Sequence, residues 1–157
     1  MGYTHYWSFT VPKKGYKDLE VKYQKAIIAI GKALQTYQKT VDDDSRLSGY
    51  SAHTKPGSYG GIKFNGKQEN GHEDFYLREH LNQNDAGNFC KTAMKPYDTA
   101  VTASLILLNH YLTGIVDVGS DGDAADWLEG LRLAKTVCPS AKIPASIRGT
   151  TLKALRA

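Results

Sequence analysis

Apolar and polar residues alternate in the first stretch of the chain. In residues 4–11 (THYWSFTV), the apolar side chains Trp7, Phe9 and Val11 are separated by more polar neighbours. A period of two is typical of a strand that buries one face. The pattern therefore predicts a strand with Trp7 facing a core and Tyr6 on the opposite, open face.

Further along, apolar residues recur at spacings of three and four, which predicts three helices. The first spans about residues 16–38. The second begins at Pro96, because proline suits the first position of a helix, and it ends at Gly114. The third follows the capping stretch SDGD at 120–123 and ends at Pro139. The predicted common core consists of Phe9, Ile27, Ile30, Leu34, Phe64, Leu105, Leu108 and Leu131.

Short apolar runs outside the helices predict three more strands. They are GIKFNG at 61–66, HEDFYLR at 72–78 and residues 115–118, and Asn-Gly turn sequences lie between the first two. Residues 41–61 show no period and are predicted to form a loop long enough to be a lid. A second, polar loop is expected at 80–88.

The order strand, helix, strand, strand, helix, strand is that of the ferredoxin-like split βαβ fold. We therefore expect an α+β protein with a four-stranded antiparallel sheet, helices on one face of it and an added C-terminal helix. Residues 4–10 and 74–78 would be its adjacent central strands. The open face of that sheet would carry Thr4, Tyr6, Ser8, Asp74, Tyr76 and Arg78.

The length and the cysteines fit one intracellular domain. We assign residues 1–138 of the 157 to a single α+β domain and residues 139–157 to a basic C-terminal tail. Cys90 and Cys138 show neither a metal-binding nor a disulfide pattern, which fits a reducing cytoplasm. No apolar run is long enough to span a bilayer, and the first residues do not resemble a signal peptide. We expect a cytoplasmic protein with no membrane partner.

The formal charge of +4 is concentrated at the C-terminal end. Residues 139–157 hold four of the 20 basic residues and no acidic ones, so residues 1–138 carry 16 basic and 16 acidic residues. A sparse basic tail is usually a solvated terminus and only weakly indicates nucleic acid. A nucleic-acid partner is therefore not expected.

The expected open face could contact a small ligand. Tyr6 and Tyr76, with Arg78 near them, could stack on a base and neutralise a phosphate. Tyrosines on such a face are also common where a partner protein or a second copy of the chain covers it. The sequence leaves both interpretations open.

A second candidate site precedes the predicted second helix. Lys91 and Lys95 lie just before its start, and Tyr97 lies in its first turn. Free N–H groups and the helix dipole attract an anion at that end of a helix, and two ammonium groups would strengthen the attraction. The alternative is that both lysines are ordinary solvated residues.

The histidines give weaker signals. None of them, His53 included, has the spacing of a metal site, and SDGD at 120–123 is interpreted as a helix cap rather than a calcium loop. No metal, cofactor or catalytic residue is assigned. His5 or His72, with an acidic partner, could act as the general base of a hydrolase.

Several short motifs together resemble those of a family of small phage and prophage proteins. They are GYTHYW near the N-terminus, FNG followed by GHEDF, FCKTAMKPYD, and SDGD with a tryptophan shortly after it. The similarity runs from Gly2 to about Trp127, and Met94 stands where the family motif is expected to carry a basic residue. The resemblance implies a phage setting, in which small accessory proteins often counter a bacterial defence system.

The leading hypothesis is a non-enzymatic, phage-encoded binder that sequesters a small phosphorylated nucleotide. A cyclic nucleotide or an ADP-ribose-type messenger of a bacterial defence system would be such a ligand. The alternatives are a hydrolase that acts on this nucleotide through either of the two histidines, and a protein–protein inhibitor of a host defence protein. Rings would stack on the aromatic candidates, and the lysines would hold phosphate. The candidate ligand-binding residues are His5, Tyr6, Trp7, His72, Arg78, Lys91, Lys95 and Tyr97.

Overall fold

The computed structural model of the protein describes residues 2–51, 61–81 and 83–149. Residues 52–60 of the predicted lid, which include His53, and residues 150–157 of the predicted tail lie outside the described residues. In chain order the elements are β1 (Thr4–Phe9), α1 (Tyr16–Thr40), β2 (Leu47–Ser51), β3 (Ile62–Gly66), β4 (Phe75–Leu77), β5 (Asn88–Lys91), α2 (Asp98–Tyr111), β6 (Val116–Ser120) and α3 (Leu128–Lys135).

The described strands form two antiparallel sheets of three strands each. In the first sheet β1 lies between β5 and β6, and in the second sheet β3 lies between β2 and β4. β5, α2 and β6 make a strand–helix–strand unit, and β1 is inserted between its two strands. This is a split βαβ arrangement, and it makes β1 the centre of the first sheet.

The α+β class agrees with the sequence, whereas a four-stranded sheet is not found among the described residues. The expected pairing of residues 4–10 with residues 74–78 is wrong, because the strand beside β1 is β5 and residues 75–77 belong to the second sheet. β5 has the sequence NFCK, and its one large apolar residue, Phe89, points outward, so no alternation marks it as a strand. β2 likewise lies inside the segment predicted to be a loop.

The predicted core is confirmed, with Phe9 only half-buried. α2 lies at its centre, since every residue from 100 to 108 is buried, as expected of a helix that is apolar on all sides. Thr102 and Ser104 satisfy their buried hydroxyl groups by donating to carbonyls in the preceding turn. A Cβ at Gly130 would lie 2.0 Å from Thr102 Oγ1, so this glycine allows α3 to pack closely on α2.

The chain continues to contribute to the core beyond residue 138. Ala141, Ile143 and Ile147 are buried in it, and Ser146 Oγ donates a hydrogen bond of 2.6 Å to Val118 O on β6. The described part of the predicted tail therefore packs on the domain. Among the described residues, no helix combines the length and the apolar character needed to span a bilayer.

Candidate functional site

Three segments of the chain meet at one edge of the first sheet. Because β5 and β6 both run antiparallel to β1, their carboxyl ends lie at the same edge as the start of β1. β5 leads into residues 92–98 and the start of α2, and β6 leads into residues 121–127. The crevice outside the carboxyl ends of parallel strands is a common ligand site in α/β proteins. The motifs GYTHYW, KTAMKPYD and SDGD therefore converge in space.

A buried histidine links the three segments. His5 is fully buried, its Nε2 lies 2.6 Å from Asp98 Oδ1, and its Nδ1 lies 2.9 Å from Ser120 Oγ. Thr92 Oγ1 donates to the same Asp98 oxygen at 2.5 Å. We call His5, Thr92, Asp98 and Ser120 the His5 cluster.

The hydrogen bonds around Ser120 define which nitrogen of His5 carries the proton. Ser120 Oγ accepts the N–H of Gly122 at 2.9 Å and the indole N–H of Trp127 at 3.3 Å. With both acceptor sites occupied, the hydroxyl has only its own proton to offer, so it donates to His5 Nδ1. An ionised Asp98 only accepts, so His5 Nε2 donates to it. The cluster is thus a chain of hydrogen bonds in which both ring nitrogens of His5 have a partner.

Aromatic rings enclose the His5 cluster. Tyr3 and Trp127 both pack edge-to-face on the imidazole, with ring centroids 5.1 and 5.2 Å away. The Tyr3 hydroxyl is buried and has no hydrogen-bond partner among the described residues. Burial, followed by the nearby carboxylates of Asp98 and Asp126, raises the pKa of Tyr3. The edge of the sheet therefore holds a polar network built around a buried imidazole, with Asp98 and Ser120 partly exposed.

The order Ser–His–Asp is that of an acid–base catalytic triad, but the surroundings of this one differ. A serine nucleophile needs a free lone pair, whereas both lone pairs of Ser120 Oγ are occupied. The imidazole of His5 has no exposed surface through which it could reach a substrate. In this conformation the cluster fastens the ends of three strands together.

The opposite face of β1 is open to solvent and carries two neighbouring rings. Tyr6 lies directly across from Phe89 of β5, and the two residues are 46% and 64% exposed. We call them the ring pair. On its other side Tyr6 faces Gly119 of β6, which has no side chain to cover the ring. A groove of about 590 Å³ runs beside the pair, with Asp117 among its lining residues.

Opposite charges lie at the two ends of the ring pair. Lys91 lies two residues from Phe89 along β5, so its side chain is on the same face as the Phe89 ring. Its partner on β1, Thr4, was expected on the open face but is buried. Asp117 pairs with Ser8 at the other end of β1. The open face therefore changes from positive, through two rings, to negative along the direction of β1.

The segment between Lys91 and Lys95 contains a strained turn. Ala93 and Met94 have φ angles of 52° and 57°, and the Lys95 N–H donates to Thr92 O at 3.0 Å. Positive φ at both central residues is the pattern of a type I′ turn, which normally contains Gly, Asn or Asp. The N–H groups of Thr92 and Ala93 both donate to Tyr3 O and hold this turn on the start of β1.

The structure separates the candidate residues predicted from the sequence. His5, Trp7 and Tyr97 are buried: Trp7 packs on Phe75 at a centroid distance of 5.0 Å, and the Tyr97 hydroxyl donates to Glu73 O at 2.6 Å. Burial raises the pKa of Tyr97, so its hydroxyl stays protonated.

The other candidates are accessible. Tyr6 and Lys91 share the open face of the first sheet, and His72, which is exposed, hydrogen-bonds through Nδ1 to Lys91 O at 3.0 Å. Lys95 ends the strained turn and is half-buried. Arg78 is exposed but follows β4 of the second sheet and does not line the groove beside the ring pair.

The expected open face must also be corrected. Asp74, Tyr76 and Arg78 were predicted to share it with Tyr6, but β4 is not paired with β1. The exposed ring that does accompany Tyr6 is Phe89, which the sequence reasoning missed. The only signal for it in the sequence was its spacing. Phe89 lies two positions before Lys91, in a short segment ahead of the second helix.

The described residues contain no group of three or more His, Cys, Asp or Glu side chains that could hold a metal ion. The chain was also compared with models of protein families, with curated proteins and with solved structures. None of the three comparisons gives a match. The function must therefore be inferred from the chemistry of the protein's own surfaces.

Proposed function

We propose that this protein binds a small phosphorylated nucleotide on the open face of its first sheet and releases it unchanged. The base stacks on the ring pair, and the phosphate lies beside Lys91. The observation that carries the proposal is the ring pair itself, because Tyr6 and Phe89 are adjacent, exposed and bordered by a groove.

Stacking supports a flat ligand at this position. Tyr6 and Phe89 are directly paired on neighbouring strands, so the sheet keeps the bases of the two side chains next to each other. Stacking of a base on an aromatic side chain contributes about 1 to 3 kcal/mol and does not depend on which base is bound. A face with two such rings is suited to a nucleobase.

The charges along the open face support one orientation of that ligand. Lys91 lies about 7 Å from Phe89 along β5, since two strand residues span about that distance. Lys91 attracts a phosphate at this end, and Asp117 repels one at the other end of β1. Asp117 is instead suited to accept hydrogen bonds from an amino group of the base.

The resemblance to small phage proteins suggests what such binding would achieve. A protein that holds a nucleotide messenger without altering it lowers the free concentration of that messenger in the host cytoplasm. Sequestration of this kind would counter a bacterial defence system that signals through a cyclic nucleotide or an ADP-ribose derivative.

The His5 cluster favours one second candidate function, hydrolysis of the same nucleotide. Its order Ser120, His5, Asp98 is the order of a catalytic triad, although the imidazole is enclosed. A hydrolase would require the edge of the first sheet to open. The two functions differ in what happens to the nucleotide.

One incubation separates these functions. The protein is mixed with candidate cyclic nucleotides and ADP-ribose derivatives, the free nucleotide is measured, and the protein is then denatured. We expect depletion of one nucleotide, followed by its release intact on denaturation. Recovery of an altered nucleotide would show that the protein hydrolyses it, and would contradict the proposal of binding without reaction. No depletion of any nucleotide tested would contradict the proposal and favour a protein partner on the open face.

Two lysine variants then test the position of the phosphate. Lys91→Ala removes the ammonium group from the open face, whereas Lys63→Ala removes an exposed lysine of β3 that pairs with Asp74 at 3.8 Å. A charge-assisted hydrogen bond contributes about 1.5 to 3 kcal/mol, so Lys91→Ala should weaken binding by roughly ten- to a hundredfold. Lys63→Ala should bind as the wild type does. Equal effects of the two variants would move the phosphate elsewhere.

A further inference from the structure

We infer that Cys138 is a nucleophilic thiol, activated by His110, that reacts with small acidic disulfides. The site lies where the end of α2 meets the segment after α3, and it has no part in the proposed nucleotide site. It would be a site of reversible modification rather than of catalysis.

The geometry places a base at the thiol. Cys138 Sγ lies 3.3 Å from His110 Nε2 and 3.6 Å from Ser140 Oγ, both within hydrogen-bond reach of a sulfur atom. A nucleophile and a base within this distance are the common feature of activated thiols. His110 belongs to the last turn of α2, so the pair is formed by residues 28 positions apart.

A groove of about 480 Å³ lies beside this pair. His110 and Ser140, the two partners of the thiol, both line it, and so does Lys142. His110, Ser140 and Lys142 are exposed, whereas Cys138 is 8% exposed and lies behind them rather than in the lining of the groove. A small reagent in the groove therefore contacts the histidine and the serine first. Lys142 favours a reagent that carries a carboxylate.

The second cysteine provides an internal comparison. Cys90 has no exposed surface, and its thiol donates to Glu73 O at 3.5 Å. Burial raises the pKa of Cys90 to about 12. The thiolate is the reactive form, so Cys90 is expected to be inert.

The reaction follows thiol–disulfide exchange. Cys138 Sγ attacks one sulfur of the disulfide as its proton moves to His110 Nε2. A new S–S bond forms to Cys138, the original S–S bond breaks, and the second sulfur leaves as a thiolate that takes the proton from His110. The disulfide is the oxidant, and an external thiol reverses the step.

The experiment uses the full chain and two aromatic disulfides, one carrying carboxylates and an uncharged pyridyl counterpart. Release of the coloured thiol gives the rate, and mass spectrometry of the digested protein identifies the modified cysteine. We expect one fast-reacting thiol, located at Cys138. Cys138→Ser should abolish the fast phase, and Cys90→Ser should leave it unchanged.

Two further variants test the assigned roles. His110→Gln should slow the reaction about a hundredfold, as expected for loss of a general base. Lys142→Gln should slow only the carboxylate reagent, and the uncharged reagent should react at the wild-type rate. The inference is overturned if Cys90 reacts first, or if His110→Gln, shown to be folded by its melting temperature, reacts as fast as the wild type. Neither result bears on nucleotide binding.

Discussion

The inner and outer faces of β1 differ in whether their polar and aromatic side chains have contacts within the protein. On the inner face, His5 makes hydrogen bonds through both ring nitrogens, and Trp7 is packed in the core. On the outer face, Tyr6 lies beside another exposed ring with no covering element among the described residues. Adjacent residues of one strand therefore lie in different surroundings, and under the proposed function they have separate roles, stability on one side and ligand binding on the other.

The largest expected effect is a difference in stability between variants of two neighbouring residues of β1, Trp7 and Tyr6. Trp7→Ala should cost about 3 to 5 kcal/mol of unfolding free energy, because it leaves a cavity against Phe75. Tyr6→Ala should cost less than about 1 kcal/mol, because Tyr6 lies on the solvent-exposed face of the strand. Urea unfolding of both variants measures the difference. Similar losses would mean that the two faces are not distinct.

A smaller loss is expected when the His5 cluster is broken. Asp98→Ala leaves the His5 Nε2–H and the Thr92 hydroxyl without their acceptor, and a buried unsatisfied group costs about 1 to 3 kcal/mol. Asp98→Asn keeps an acceptor oxygen at the same place and should lose less stability. If Ala and Asn variants unfold at the same urea concentration, hydrogen bonding at Asp98 does not stabilise the inner face.

The inner face should also make stability depend on alkaline pH. Cys90 lies on this face, opposite His5, and burial raises the pKa of Cys90 from its ordinary value of 9.0 to about 12. The unfolded chain therefore loses this proton at a lower pH than the folded chain does. The stabilisation is fully present below pH 9.0 and is lost as the pH rises towards about 12.

Urea unfolding at several alkaline pH values measures this dependence. The free energy of unfolding of the wild type should fall across that range. In Cys90→Ala the fall should be smaller, because the contribution of the thiol is gone while buried tyrosines such as Tyr37 remain. An unchanged slope in the variant would show that the Cys90 thiol is not protected on the inner face.

The smallest expected effect is a gain in stability at the strained turn. A residue with side chain costs about 1 kcal/mol or more at positive φ, and glycine avoids this cost. Met94 is 63% exposed, so Met94→Gly should stabilise the fold by about 1 kcal/mol without loss of packing. A melting temperature equal to or below that of the wild type would contradict the assigned turn geometry.

The spacing of apolar residues along the chain predicted the helices and the two faces of β1. The apolar spacing of α1 predicted its start at Tyr16, and the same reasoning identified the buried positions of α2 and α3. The alternation in β1 correctly placed Trp7 inside and Tyr6 outside. These features depend on periods of two or of three to four residues, which can be read along the chain.

Contacts between distant residues could not be predicted in this way. His5 meets Asp98 and Ser120 across 93 and 115 residues, so no motif spacing reveals the His5 cluster. The partner strand of β1 was assigned wrongly because β5 is short and has an outward-facing Phe89. Strand pairing depends on which strand edges meet in the folded chain. The sequence of a short, polar strand such as β5 does not indicate its partner.

Calorimetric titration with the nucleotide that the incubation identifies tests the central claim most directly, namely that the ring pair binds the base. Tyr6→Ala and Phe89→Ala each remove one ring, and Tyr76→Ala removes a ring that is 52% exposed on the second sheet. Loss of a stacked ring costs about 1 to 3 kcal/mol, so each of the first two variants should bind roughly five- to more than a hundredfold more weakly. Tyr76→Ala should bind as the wild type does. Wild-type affinity in both ring-pair variants would contradict the claim.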